Sequence, residues 1–331
     1  MPDTIETSTS ESTAEMTPVT VSPSELVRRA QSLVPMIRER QEETEANGRV
    51  SAEIFGAICD AEIFKILLPR RYGGFEYGLD TFAEVGFEIA RGCGSVGWVN
   101  SVTAMYHVFL GMYPERAQDD VWGENPGAVL AASFTPTGTV TPVDGGYSLT
   151  GKWMFCSGVD NCAWTIVGVT IPAAVEGEPD GKAYALVRTS EFDMENNWNV
   201  VGLSGTGSKN IMCNELFVPE YRLLPIEETM TGNPPGAAVN DGPLYRIPLF
   251  AAMSCSLVAP IMGMAQGAID EFIDLTKGRI TRGAALSKPA PMAELPGIQL
   301  KLGEAMAAVD SARLLVDRDL KDIMETVSSG R

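Results

Sequence analysis

The hydrophobic period of the chain changes twice along its length. Up to about residue 125 the apolar residues recur at helical spacing; from about 128 to 218 they fall in short β-branched and aromatic runs between turn signals; beyond 240 helical spacing returns. Because the two periods place side chains on incompatible faces, a segment written for one cannot bury its apolar residues as the other. The order helices, strands, helices also excludes an alternating βα chain and the doubly wound parallel sheet that it builds. The fold class expected is therefore α+β and multi-domain. An N-terminal helical domain spans 23–125, a compact barrel or sandwich 126–228, and a C-terminal helical domain 240–331. A chain of 331 residues, 45% of them apolar, is long enough for two or three such domains.

Local signals place the elements within this frame. Eleven of the first 24 residues are Ser or Thr and five acids precede the first base, Arg28, so residues 1–22 read as a disordered tail. Ser22-Pro23-Ser24-Glu25 supplies a cap, a first-turn proline and early negative charge for a helix to about Ala46. Ser51 opens a second helix that Pro69 stops, Asp80 caps a third to about Arg91, and Gly97 to Met112 forms a fourth. Pro114 begins a short helix ending near Gly123. Six strands are expected, at Val129–Ser133, Gly146–Leu149, Lys152–Cys156, Trp164–Thr170, Ala183–Arg188 and Asn210–Val218. After a Gly/Pro/Asn linker, Leu244–Lys277 and Pro296–Val327 are two long helices. Leu249 to Ile269 carries no charge over a membrane-spanning length. It is nevertheless rich in Ala, Ser and Gly, and it runs into Asp270-Glu271-Phe272-Ile273-Asp274, so it reads as a bundle helix buried on most sides.

Charge removes several classes of function. With 25 basic against 43 acidic residues the net charge is −18, which repels phosphate backbones and anionic lipid, so neither nucleic acid nor a membrane is expected as a partner. A single histidine, His107, leaves no two-histidine metal motif and demotes hydrolytic triads. Six scattered cysteines without a Cys-x-x-Cys pair read as reduced apolar side chains, and no basic, apolar signal sequence opens the chain. A cytoplasmic location is expected.

Four stretches could carry chemistry, each with a plainer structural reading. Gly92-Cys93-Gly94-Ser95-Val96-Gly97 spells a dinucleotide fingerprint, but a helix precedes it where the motif needs a strand, so it reads as a helix-to-helix break. The run from Gly202 to Ser208 is a hydroxyl-rich loop that could approach a ligand or form an ordinary turn. In Gly151 to Gly158, Trp153 and Phe155 share one strand face with a hydroxyl, Ser157, at its end; a heterocycle could stack there, or the strand could be core. His107 lies on an apolar helical stretch, where a satisfied core histidine is the commoner finding.

Taken together and in order, these stretches resemble the acyl-CoA dehydrogenase superfamily, and within it the two-component flavin-dependent monooxygenases of the aromatic and phenol hydroxylase type. The residues that carry the resemblance are Leu68-Pro69-Arg70-Arg71-Tyr72-Gly73-Gly74, Gly94-Ser95-Val96-Gly97-Trp98, Ala131 to Pro136, Trp153 to Gly158, and Gly202 to Ser208 leading into Glu215-Leu216-Phe217-Val218-Pro219. The resemblance covers about Pro23 to Arg331 and implies a helical domain, a central β-barrel and a C-terminal helical bundle. Trp-x-Phe-x-Ser-Gly at 153–158 and Gly-Trp at 97–98 are similar to the hydroxylase branch.

What the resemblance implies is a flavin-dependent monooxygenase. It would take reduced flavin, FMN in preference to FAD, from a separate flavin reductase, and pass one oxygen of O₂ through a flavin hydroperoxide to an aromatic or polycyclic small molecule. Ser157 would face the reactive nitrogen of the flavin's central ring, while Trp98, Ser133, Phe155 and Thr206 would line the cofactor pocket. Arg279 would reach the cofactor phosphate of a neighbouring subunit in a homotetramer. His107 or Tyr106 would orient a substrate hydroxyl; the histidine column of the hydroxylases falls on Tyr106, one residue and about 100° of helix away from His107. The position where some dehydrogenases carry a catalytic glutamate falls on Met253. Family members continue for two more helices, so the C-terminal bundle is expected to be incomplete. The alternatives are an acyl-CoA dehydrogenase using FAD to desaturate an acyl thioester, and a truncated, non-catalytic paralogue.

Overall fold

The computed structural model describes residues 21–173, 175, 177–282 and 289–330. The Ser/Thr-rich start, read as a disordered tail, falls almost wholly outside them. Helix α1 (Pro23–Glu39) begins where expected, with Ser22 Oγ accepting from the Glu25 N–H at 3.2 Å. Arg40 interrupts it before α2 (Gln41–Asn47), which ends on Gly48 in the left-handed region. Ser51 caps α3 (Ala52–Asp60) through the Ile54 N–H. Helix α4 (Leu79–Gly92) starts two residues earlier than its sequence signal: Gly78 is the N-cap in place of Asp80, and Asp80 lies in the first turn as an acid favourable to the helix dipole. The remaining helices are α5 (Gly94–Gly111), α6 (Glu115–Gln118), α7 (Leu249–Lys277) and α8 (Pro296–Ser328).

The fourth helix of the sequence reading becomes the centre of the molecule. Apart from Gly94 and Trp98 every residue of α5 is buried, because α4 and α7 cover one side and strand β1 (Leu130–Val143) the other. The helices approach closely at small residues. A Cβ on Gly97 would lie 2.3 Å from Ala90 Cβ, and one on Gly263 of α7 would lie 2.3 Å from the Phe87 carbonyl oxygen. The dinucleotide-like spelling at 92–97 is therefore a tight helix crossing. Helix α7 buries Ala252, Met253, Ser256, Ala259 and Gly263 against α4 and α5. Its other face leaves Phe250, Ile261 and Leu275 about half exposed, so it is buried along one face and not on most sides.

The strands form a single seven-stranded sheet of order β5-β6-β2-β1-β3-β4-β7. The others are β2 (Gly146–Cys156), β3 (Trp164–Ile171), β4 (Gly181–Arg188), β5 (Asp193–Glu195), β6 (Lys209–Pro219) and β7 (Leu223–Pro225). Two expected strands, 146–149 and 152–156, are one continuous strand, and two three-residue strands add the edges. The sheet does not close, which corrects the β-barrel expectation. Closure requires the edges to pair, yet β5 and β7 are only three residues long and lie at opposite ends of the order. β7 also ends on Pro225, which has no N–H to give a ladder, and β5 carries Asp193 and Glu195. Within the sheet β1 and β3 run parallel, whereas β1–β2, β2–β6 and β3–β4 are antiparallel.

Candidate active site

The site is built on an irregularity in β2. Between Trp153 and Cys156 three steps of β2 oppose two steps of β6, from Ile211 to Lys209, so β2 carries one extra residue. Phe155 takes up the bulge at φ +61°, a conformation costly for a bulky side chain. Its consequence is directional. Trp153 is fully buried, its Nε1–H donating to the Gly168 carbonyl at 2.7 Å, whereas Phe155 is 62% exposed with its ring edge-on to Trp198 at 5.9 Å. The two aromatics expected on one strand face are thus on opposite sides, and Phe155 offers an open aromatic surface.

Just past the bulge, Ser157 heads a row of buried hydroxyls. Trp98 Nε1–H on α5 donates to Ser157 Oγ at 3.3 Å. Ser157 Oγ lies 2.8 Å from Ser208 Oγ, which lies 2.7 Å from Thr206 Oγ1. Thr206 O–H donates to the Leu203 carbonyl at 2.9 Å. The backbone locks the two loops together, with Gly158 N–H donating to the Thr206 carbonyl at 2.9 Å. A Lys209–Asp160 ion pair at 2.5 Å, mostly buried, bridges the same loops.

Ser133, on β1, donates to the Met154 carbonyl at 2.8 Å and so holds the residue before the bulge. Tyr106 lies about two turns further along α5 than Trp98, its ring 5.9 Å from Phe134. Burial beside Cys156 and Cys162 pushes its hydroxyl pKa up, so the phenol stays protonated. Ser157, Trp98, Ser133, Phe155 and Thr206 therefore converge on one region, where β1, β2 and the 202–208 loop meet α5, with Tyr106 buried behind it near Cys156.

His107 lies elsewhere. One residue further round α5, it packs against Trp122 with ring centroids 5.7 Å apart and donates from Nε2 to the Ala128 carbonyl at 3.3 Å. Burial pulls its pKa down to about 4, partly offset by the backbone of Ala128 and Phe64. The native imidazole is thus neutral while an unfolded chain takes up the proton near pH 6.5, so the unfolded state binds more protons between these values and stability falls as pH drops through that window. Relative to His107→Gln, the parent protein is expected to lose about 2 kcal/mol more between pH 7 and pH 4.5. Urea unfolding at the two pH values checks this, and equal losses in both proteins would refute it.

Comparison with known proteins decides the family. The acyl-CoA dehydrogenase N-terminal domain matches residues 28–122 and the acyl-CoA dehydrogenase C-terminal domain matches 255–331. An FADH₂-dependent resorcinol hydroxylase, oxygenase component, from Rhizobium is 36% identical over 297 residues, which are 89% of this chain and 72% of that protein. The chain belongs to the acyl-CoA dehydrogenase superfamily, among its flavin-dependent monooxygenase oxygenase components. It is accordingly an oxidoreductase. The crystal structure of a 3-HSA hydroxylase from Rhodococcus superposes with a TM-score of 0.85 at 30% identity, covering 93% of this chain and 78% of that one. XiaF from Streptomyces, solved with FADH₂ and glycerol, superposes at 0.82 and 27% identity, covering 93% and 76%.

Two further positions and a cleft complete the picture of this monooxygenase. Arg279, just past α7, is exposed and forms no ion pair among the described residues. Met253 is buried on α7, an apolar side chain where a base would need a carboxylate. A cleft of about 460 Å³ opens where α1 and α2 meet the α4–α5 turn and α7, with Leu203 on its rim. Trp198 was not singled out from the sequence, and Ser208 was named only as the end of the 202–208 loop, without a role of its own. Ser208 closes a run of hydroxyls at every second position, Ser204, Thr206 and Ser208, the one sequence signal that could have marked it.

Proposed function

We propose that the protein is the oxygenase component of a two-component system that hydroxylates a phenol-like aromatic compound, consuming reduced flavin from a separate reductase and O₂ and releasing hydroxylated product, oxidised flavin and water. The observation that supports it most is the buried Ser157 hydroxyl set beside the open Phe155 ring on a strained bulge. A flat, partly polar heterocycle fits such a place: an aromatic face to stack on, and one hydroxyl oxygen within a dry wall. Bound reduced flavin supplies the activation of O₂ and the oxygen transfer.

The chain's own residues supply position and dryness. Phe155, backed by Trp198, supports the ring system; Ser157 presents its oxygen to the central ring; Trp98, Ser133 and Thr206 hold that geometry. Tyr106, a protonated phenol buried beside Cys156 next to that region, orients a substrate hydroxyl, a part better suited to it than to His107, which is held by Ala128 and Trp122. Arg279, an exposed cation free of ion pairs among the described residues, reaches the cofactor phosphate of a neighbouring subunit in a tetramer. FADH₂ is named for both the Rhizobium and the Streptomyces proteins, which favours reduced FAD over reduced FMN. A cytoplasmic location goes with this reading, since all six cysteines are free thiols.

The test is anaerobic titration of the purified protein with FADH₂ and with reduced FMN, followed by oxygenated buffer containing resorcinol or related phenols. Saturable binding of reduced flavin and a ring-hydroxylated product are expected. No binding of either flavin, or reoxidation that yields only hydrogen peroxide with every phenol, would overturn the proposal.

A further inference from the structure

The hydroxyl row beside the bulge has a fixed direction. A carbonyl oxygen only accepts, so the Thr206 hydrogen, 2.9 Å from the Leu203 carbonyl, is committed there. With that hydrogen placed, Thr206 Oγ1 accepts from Ser208 at 2.7 Å, and Ser208, its single hydrogen used, accepts from Ser157 at 2.8 Å. At the other end the Trp98 indole N–H only donates, into Ser157 Oγ at 3.3 Å. With a pure donor at one end and a pure acceptor at the other, the arrangement that uses every hydroxyl hydrogen within the row runs from Trp98 through Ser157, Ser208 and Thr206 to Leu203. Ser157 is left with its hydrogen spent, one lone pair occupied and one lone pair open.

The acceptor end is itself held firmly. Leu203 sits at φ +59°, and its carbonyl also takes the Trp198 indole N–H at 3.0 Å and the Thr206 backbone N–H at 3.2 Å. Backbone strain in a non-glycine residue persists only where the surroundings impose it. Ser208 and Thr206 are 5% and 2% exposed, so bulk water does not compete for their hydrogens.

We infer that Ser208 is a positioning residue that turns Ser157 into an obligate hydrogen-bond acceptor, so that the site prefers reduced to oxidised flavin. The inference rests on the proposed flavin site beside Ser157. The central-ring nitrogen of reduced flavin carries a hydrogen that the open lone pair accepts; in oxidised flavin the same nitrogen presents a lone pair to a lone pair. Redox preference is thereby built into the protein before O₂ arrives, which suits an enzyme that receives its flavin already reduced.

The test compares anaerobic affinities for FAD and FADH₂ in the parent protein, Ser208→Ala and Thr206→Val. Either substitution frees the Ser157 hydrogen, directly or through Ser208, and lets it turn toward oxidised flavin. The reduced-to-oxidised preference is expected to fall by about tenfold, the worth of one net hydrogen bond. A flavin-free reading accompanies it: in ¹⁵N-tryptophan-labelled protein the Trp98 indole resonance, assigned by its loss in Trp98→Phe, is expected to shift in Ser208→Ala as its acceptor is depolarised. Affinities that fall equally for both redox states, or an indole resonance that does not move, would overturn the inference and leave the proposed function standing. A parent protein that binds neither form would overturn the proposed function, and the indole shift would then decide the direction of the row alone.

Discussion

Ser157→Ala is expected to fold as the parent does and to lower the yield of hydroxylated product per flavin oxidised by about ten- to a hundredfold. The change removes one oxygen from a place 9% exposed, where a lost hydrogen bond is not replaced by solvent. It leaves the Trp98 N–H without its acceptor and Ser208 without its donor, a stability cost of about 1–2 kcal/mol that a chain of this size tolerates. Flavin consumption continues, because O₂ reacts with reduced flavin whether or not the protein directs the outcome, so the missing product should appear as hydrogen peroxide. Single-turnover reactions with both products quantified decide the matter. An unchanged yield would remove Ser157 from the chemistry.

Gly97→Ala is expected to cost about 3 kcal/mol or more of folding stability. The added Cβ would sit 2.3 Å from Ala90 Cβ and 2.4 Å from Ala90 Cα. The second of these is backbone, so no rotamer change relieves it and α4 must separate from α5. The neighbouring residue on α5 is Trp98, and a displaced α5 withdraws the donor that begins the hydroxyl row. Urea denaturation of the two proteins measures the cost, and a loss below about 1 kcal/mol would show that the crossing yields more readily than close packing allows. A phosphate-binding role for the same glycine predicts instead a loss of cofactor affinity with stability unchanged.

The sequence made some of this architecture legible because the relevant physics is local. The two changes of hydrophobic period separate helices from strands, and Ser22 and Ser51 cap the helices they were expected to cap, since a cap needs only its own hydroxyl and an N–H three residues on. The openness of the sheet was not legible, because closure depends on whether two distant edges meet, and β5 and β7 are too short to leave a pattern. Nor was the bulge: period-2 counting places Trp153 and Phe155 on one face, and only the pairing of β2 with β6 reveals the extra residue. His107 and Tyr106 are adjacent in sequence, yet one meets Trp122 and the other Phe134, a difference set by helix rotation against the surrounding packing. Ser208 escaped notice inside a loop already under suspicion, because its importance lies in which hydroxyls it touches.

The bulge in β2 makes this protein sensitive to length in a way that substitution scanning does not detect. Deleting one residue between Trp153 and Cys156 would restore a regular ladder, with Trp153 still opposite Ile211 and Cys156 still opposite Lys209, and would leave a single residue between them in ordinary extended backbone. The buried face of the strand and the approach of Ser157 to Ser208 and Trp98 would be kept, and what would go is the left-handed residue that carries the Phe155 ring out beside Trp198. A one-residue deletion in this stretch therefore separates the part played by the exposed ring from the part played by the hydroxyl row, which no substitution at Phe155 does while the bulge remains.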